Sequence, residues 1–205
     1  KYLGEVTVTE GMAKSLNSVA IRLGQRVGIG RIVAMAHRLG VTSKLDRDMS
    51  LVLGSSGVSM LEIAGAYAAL ANGGRRVTPY GIREIATRQG RILFQRRRRT
   101  GTRVLSAATV ADANRVLSAV LDKGGTGTRA NFGHPAAGKT GTTQDSRDAW
   151  FVGYTAQFVV AVWVGNDNDK PMKGVTGGSL PALIWRNFMR DAHAGRARMS
   201  LPGVN

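Results

Sequence analysis

The chain has 205 residues and a mass of 21.8 kDa, enough for one sizeable domain or for part of a larger one. Its 29 basic and 13 acidic residues leave a formal charge of +16, a surface that attracts polyanions such as nucleic acid, anionic lipid or acidic polymers. Zero cysteines exclude a disulfide scaffold and any Cys-ligated metal site, and the scattered His37, His134 and His193 argue against a histidine-rich metal centre.

The chain opens Lys-Tyr-Leu-Gly-Glu, with no initiator Met and nothing resembling a signal peptide, so a natural N-terminus upstream is expected. Thr7-Val-Thr-Glu10 has the form of a capping box. Helical spacing follows through Met12, Val19, Leu23 and Val27, with an interruption near Ser15, and Gly28 and Gly30 break it. A second helix fits Ile32 to Leu39, with Gly40 as its C-terminal cap. A third starts at the capping box Ser59-Met-Leu-Glu62 and stops at Asn72-Gly73-Gly74.

From Val77 the period changes. Ile82-Arg-Glu-Ile85 and Ile92-Leu-Phe94 flank Arg88-Gln-Gly-Arg91 and read as a β-hairpin, followed by a solvated loop at Arg96 to Arg99. Ser106 caps a further helix through Leu121, and Gly124-Gly-Thr-Gly127 ends it, a loop that either does nothing more or borders a cleft. Gly138 to Thr143 is expected as a short strand. Trp150 to Thr155 and Phe158 to Val164 are expected as an antiparallel pair joined at Ala156-Gln157. The second of these is apolar almost throughout, which predicts burial on both faces, but it is far short of the roughly 20 residues of a spanning helix. Pro181 suits the first turn of a last helix, with Leu183, Ile184, Trp185, Phe188 and Met189 as its packing face. The fold class is α+β, an antiparallel sheet flanked by helices. The expected divisions are a helical part at about 5–75, hairpin and Arg-rich loop at 77–103, helix at 106–122, strands at 136–165 and C-terminal helix at 181–193.

Two readings compete at one place. Gly133-His-Pro-Ala-Ala-Gly138-Lys139-Thr140 fits the phosphate-loop pattern G-x-x-x-x-G-K-[ST]. That loop must follow a buried strand and open a helix, and neither flank here has that character. The other reading takes Lys139-Thr140-Gly141-Thr142 as a strand beside a cleft. Lys139 supplies fixed positive charge, the Thr140 and Thr142 hydroxyls bind a carboxylate, and Gly141 lets a substrate backbone lie close.

The surroundings of that tetrapeptide carry more information. Ala136 to Tyr154 closely resembles the class A penicillin-binding proteins, and the resemblance continues through Val160-Ala-Val-Trp-Val-Gly-Asn-Asp167, Gly177-Gly178 and Pro181-Ala-Leu-Ile-Trp185. Upstream, Ser15-Leu-Asn17 resembles the family's S-x-N motif, and Leu53-Gly54 and Ala64 to Gly74 match in order. Position 16 is Leu where one form of the motif has Asp, and the S-x-N form tolerates this.

The resemblance implies a penicillin-binding-protein/β-lactamase-like transpeptidase fold, N-terminally truncated, and a bacterial enzyme of peptidoglycan synthesis. Such an enzyme cross-links stem peptides ending in D-Ala-D-Ala through a serine acyl-enzyme, and β-lactams block that serine. It implies Ser15, Asn17 and Lys139 as catalytic residues and Thr140, Gly141 and Thr142 as substrate-binding ones. Ser15 would relay a proton near the leaving nitrogen and Asn17 would bind the substrate amide. The Thr142 backbone N–H would belong to the oxyanion hole. No metal or organic cofactor is implied. The implied location is the periplasmic face of the inner membrane, with the anchor outside this chain.

The departure from the family is the nucleophile. No serine in the sequence has a lysine three residues later, so the S-x-x-K motif is absent. In the family it precedes S-x-N, which places it before Lys1. The chain is therefore expected to be inactive alone. Two other classes of function stay open at this point. One is a basic module binding nucleic acid or an anionic surface, with Arg96, Arg97, Arg98 and Arg99 as contact to anionic lipid or wall polymer. The other is nucleotide binding through Gly133 to Thr140. No nucleic-acid partner is expected, because no recognisable motif accompanies the charge.

Overall fold

The computed structural model describes residues 4–97 and 100–204. Short-range hydrogen bonds set the first helices. The Thr7 hydroxyl accepts from the Glu10 N–H at 3.1 Å and starts α1 (Val8–Ala13). The Glu10 carboxylate does not return to the cap; it accepts from Lys14 at 2.6 Å instead. Ser15 has a left-handed φ of 53°, which ends α1 and lets α2 (Asn17–Val27) start in a new direction. Gly28 separates α2 from α3 (Ile29–Leu39), and Gly40, at φ 114°, ends α3 in the left-handed conformation.

α4 (Met60–Ala71) opens with a complete capping box between Ser59 and Glu62. The Glu62 carboxylate also accepts from the backbone and hydroxyl groups of Thr42 and Ser43 at 2.6–2.8 Å. The Ser43 and Thr42 hydroxyls, then the Ser59 N–H, hold its pKa well below the usual carboxylate range. This one side chain ties the loop after α3 to the start of α4.

Next comes the hairpin, β1 (Glu84–Ala86) paired antiparallel with β2 (Ile92–Gln95). Ile82, Ile85, Ile92, Leu93 and Phe94 on it are exposed, and Arg96 lies over the Tyr80 ring at 4.1 Å. Ser106 caps α5 (Ala107–Ser118).

The second sheet runs in the order β3 (Ala137–Thr142), β4 (Asp148–Tyr154), β5 (Val159–Gly165), all antiparallel. The last helix is α6 (Leu180–Ala192). Alternation along β4 sorts the helices onto two faces. Phe151 meets Trp185 of α6, with ring centroids 5.2 Å apart. Tyr154 points the other way, against Tyr67 of α4, and donates its hydroxyl to Asn114 of α5 at 2.7 Å. The cores follow this division: Val120, Phe151, Ala182, Trp185 and Met189 on one side, Ala137, Tyr154 and Leu201 on the other. This is an α+β architecture with helices on both faces of an antiparallel sheet.

Two packing expectations are corrected. β5 is half-buried rather than enclosed on both faces, with Trp163 36% exposed, because it is an edge strand of this sheet. α6 packs through Pro181, Ala182, Trp185 and Met189 and leaves Ile184 and Phe188 exposed. Positions 181, 185 and 189 recur every four residues and form one stripe; 184 and 188 lie on its flank.

Candidate functional site

β3 is the outer strand of its sheet, and no other strand covers its far edge among the described residues. Lys139 pairs with Val152, Thr140 with Phe151, Gly141 with Trp150 and Thr142 with Ala149. The Phe151 contact with Trp185 assigns Thr140 and Thr142 to the α6 face and Lys139 to the opposite one. A Cβ on Gly141 would stand 3.3 Å from the Trp150 Cβ, tighter than ordinary contact.

On the Lys139 face, the turn between α1 and α2 presents Ser15. The Lys139 Nζ donates to the Ser15 Oγ at 2.8 Å and to the Thr140 carbonyl at 3.1 Å. Burial of the ammonium pushes the Lys139 pKa down to about 8. Ser15 reaches this position through its left-handed backbone, which costs about 1–2 kcal/mol for a residue with a side chain. Its N–H donates to the Met12 carbonyl at 3.1 Å, and the Leu16 N–H to that of Gly11 at 2.8 Å. These bonds hold the turn in place. Asn17 is exposed at the first position of α2, two residues beyond Ser15. No hydrogen bond joins its side chain to β3 among the described residues.

On the α6 face, two segments close over the threonines. The Thr140 Oγ1 lies 2.8 Å from the Thr126 Oγ1, in the Gly124 to Thr128 loop. The Thr142 Oγ1 accepts the Gly177 N–H at 3.0 Å. The Thr126 N–H donates to the Ala13 carbonyl at 2.9 Å, linking the same loop to the Ser15 turn. The structure thus joins Ser15 to Lys139 directly and surrounds Thr140 and Thr142 with backbone and hydroxyl partners. Thr126 had no assigned role in the sequence; its only signal there was a glycine-rich loop of ambiguous purpose.

The phosphate-loop pattern does not form a phosphate loop. Gly138, Lys139 and Thr140 lie within β3, paired with Gly153, Val152 and Phe151, and no helix starts there to turn its amides on a phosphate. His134 instead stacks on Phe132, with ring centroids 4.9 Å apart. Of the basic run, Arg96 lies over Tyr80, and Arg98 and Arg99 lie outside the described residues. Among the described residues no group of three or more His, Asp or Glu side chains is placed to hold a metal ion.

Beyond the strand, Arg147 donates to the Asp169 carboxylate at 3.0 Å and the Trp163 indole N–H to Asp148 at 2.8 Å. These contacts fasten the turn after Thr143.

The model of the penicillin binding protein transpeptidase domain matches residues 1–190 of this chain. Penicillin-binding protein 1A of Rickettsia conorii is 33% identical over 229 residues, covering 98% of this chain and 28% of its own length. The protein of the same name from Neisseria meningitidis is 32% identical, covering 96% of this chain and 25% of its own length. The chain therefore spans about a quarter of the length of these curated relatives. Among solved structures, penicillin-binding protein 1A from Haemophilus influenzae matches with a TM-score of 0.85 at 26% identity, over 98% of this chain and 37% of that one. PonA1 from Mycobacterium tuberculosis matches with a TM-score of 0.87 at 28% identity, over 98% of this chain and 59% of that one.

Proposed function

We propose, starting from the penicillin-binding-protein transpeptidase family to which this chain belongs, that it forms the substrate-holding part of a serine D-Ala-D-Ala transpeptidase site. The observation that carries the reading is the 2.8 Å hydrogen bond from Lys139 to Ser15. Because Lys139 donates, the Ser15 oxygen accepts and its own hydrogen is left to move to the leaving nitrogen. A lysine with a pKa near 8 is mostly charged at neutral pH and holds a positive potential at the cleft.

The other roles follow from position. Asn17 binds the substrate amide from the start of α2. The Thr140 and Thr142 hydroxyls hold the terminal carboxylate. The Thr142 N–H contributes to the oxyanion hole. A stem peptide adds along the open edge of β3, and Gly141 gives it clearance.

In the reaction, a serine oxygen attacks the carbonyl carbon of the penultimate D-Ala, the C–N bond breaks, and the last D-Ala leaves with a proton. The amine of a second stem then attacks the ester, and the serine recovers its proton. A β-lactam presents its ring amide in place of that peptide bond. No serine of the sequence precedes a lysine by three, so we assign the nucleophile to a residue outside these 205 residues. The site is assigned to the periplasmic face of the bacterial inner membrane. Among the described residues no helix is long and apolar enough to cross a membrane, so the anchor is assigned to a segment outside this chain. An anionic lipid or wall-polymer contact through the basic run is a lesser part of the reading, supported by charge alone.

Intact-mass measurement and peptide mapping after benzylpenicillin treatment test the reading, with the full-length gene product beside this chain. One adduct on a serine outside the sequence, and none on the isolated chain, is expected. A folded full-length protein without an adduct, or a stoichiometric adduct on the isolated chain, overturns it.

A further inference from the structure

A threonine hydroxyl binds a carboxylate only when its hydrogen is free to donate, which makes the second partner of each hydroxyl decisive. We infer that Thr126 is the positioning residue that, by donating to the Thr140 oxygen, orients and polarises the Thr140 hydroxyl towards the carboxylate, a role that rests on the transpeptidase reading above. At Thr142 the matter is settled by chemistry, since the Gly177 N–H can only donate. The Thr142 oxygen accepts from it, and the hydroxyl hydrogen remains available.

At Thr140 the partner is the Thr126 hydroxyl, 2.8 Å away, and either oxygen can be the donor. When Thr126 donates, Thr140 stands in the same state as Thr142. When Thr140 donates, its hydrogen is occupied and the carboxylate loses a partner. An arriving carboxylate selects the first arrangement, because charge-assisted hydrogen bonds are the stronger ones. A hydroxyl that accepts while it donates is also polarised into a better donor.

Thr126 is held firmly enough for this work. Its N–H donates to the Ala13 carbonyl at 2.9 Å, within the segment that presents Ser15. Gly178 packs on its carbonyl, where an added Cβ would lie 2.0 Å from the oxygen. The Gly127 N–H donates to the Val120 carbonyl at 2.8 Å, and a Cβ on Gly125 would lie 2.3 Å from that same oxygen. One residue therefore meets the Ser15 turn, β3 and the segment before α6.

The test uses the full-length gene product with Thr126→Val, which keeps the shape and removes the hydroxyl, and Thr126→Ser, which keeps the hydroxyl. Second-order acylation rates are measured with benzylpenicillin and with its methyl ester, which has no carboxylate. Thr126→Val is expected to slow benzylpenicillin about two- to tenfold, the range for one neutral hydrogen bond, because Thr140 keeps its hydrogen and loses the partner that orients and polarises it. Thr126→Ser restores most of the rate, and the methyl ester reacts equally with the parent and with Thr126→Val. If Thr126→Val does not fold, Thr126→Ala is measured in the same way. A residue with a merely structural role would slow both compounds alike, so equal losses overturn the inference, as do equal benzylpenicillin rates for parent and variant. A folded parent that is not acylated at all overturns the transpeptidase reading itself.

Discussion

The Gly177 N–H donates to the Thr142 hydroxyl oxygen across 35 positions of sequence, at 3.0 Å, and only a glycine fits where Gly177 sits. A Cβ there would lie 2.3 Å from the Trp150 carbonyl oxygen and 2.5 Å from that of Gly141. The segment before α6 therefore lies directly on the backbone of β3.

Gly177→Ala is expected to lift that segment from β3 and slow benzylpenicillin acylation of the full-length gene product by about tenfold, the cost of one lost hydrogen bond at the hydroxyl proposed to hold the carboxylate. Gly30→Ala is the control. Gly30 lies within α3 with nothing near its missing Cβ, and alanine there should raise stability by up to about 1 kcal/mol without touching the rate. Equal rates for Gly177→Ala and the parent would remove the segment from the site.

The proposed role of Ser15 can be separated from its effect on stability. Ser15→Ala and Ser15→Gly both remove the hydroxyl that accepts from Lys139, and both should lose acylation. Alanine retains the left-handed strain at φ 53° and glycine relieves it, so the glycine variant is expected to be the more stable of the two by about 1 kcal/mol. Urea midpoints in the reverse order would show that the turn does not keep this conformation.

Lys139 has a pKa pushed from the ordinary 10.5 down to about 8 by burial. Below pH 8 both folded and unfolded chains carry the proton, and the full cost of burying the charge opposes folding. Between about 8 and 10.5 the unfolded chain binds more protons, so this contribution to stability rises with pH. Lys139→Met removes the charge. Its stability relative to the parent is expected to be most favourable at pH 7 and to decline as the pH rises towards 10. Denaturant titrations of both proteins at pH 7, 8.5 and 10 check this, and a difference independent of pH would contradict it.

Tyr154 and Asn114 are both fully buried, and Tyr154 donates to Asn114 at 2.7 Å while Asn114 donates to the Pro202 carbonyl at 2.8 Å. Tyr154→Phe leaves the Asn114 oxygen without a partner and should cost about 1–3 kcal/mol. The loss should fall on thermal stability, read as a lower Tm, because Tyr154 lies on the α4 and α5 side of the sheet and pairs across it with Ala137 rather than with a site residue. A Tm unchanged within a degree would mean that the network relaxes freely.

Much of the fold could be read locally. Ser59 and Glu62, three residues apart, form the expected capping box, and Gly40 ends α3 in the left-handed conformation that glycine favours. The break at Ser15 and the pairing of β4 with β5 follow from spacing and from a two-residue link. Packing faces were less legible. Ile184 and Phe188 are as apolar as Trp185, and only the neighbours of α6 select which of them is buried. The phosphate-loop pattern at Gly133 to Thr140 is the opposite case, in which the letters match and the backbone, a paired strand, does not.

By itself the sequence determined the helix caps, the strand periods and the order of the motifs that mark the family, because these depend on residues within a few positions of one another. Tertiary structure alone decided that Ser15 touches Lys139, that Thr126 meets Thr140 and that Gly177 closes on Thr142. Those bonds join segments that become neighbours only when α1, the loop after α5 and the start of α6 pack around β3. A hydroxyl's partner, unlike a helix cap, leaves no trace in the residues beside it.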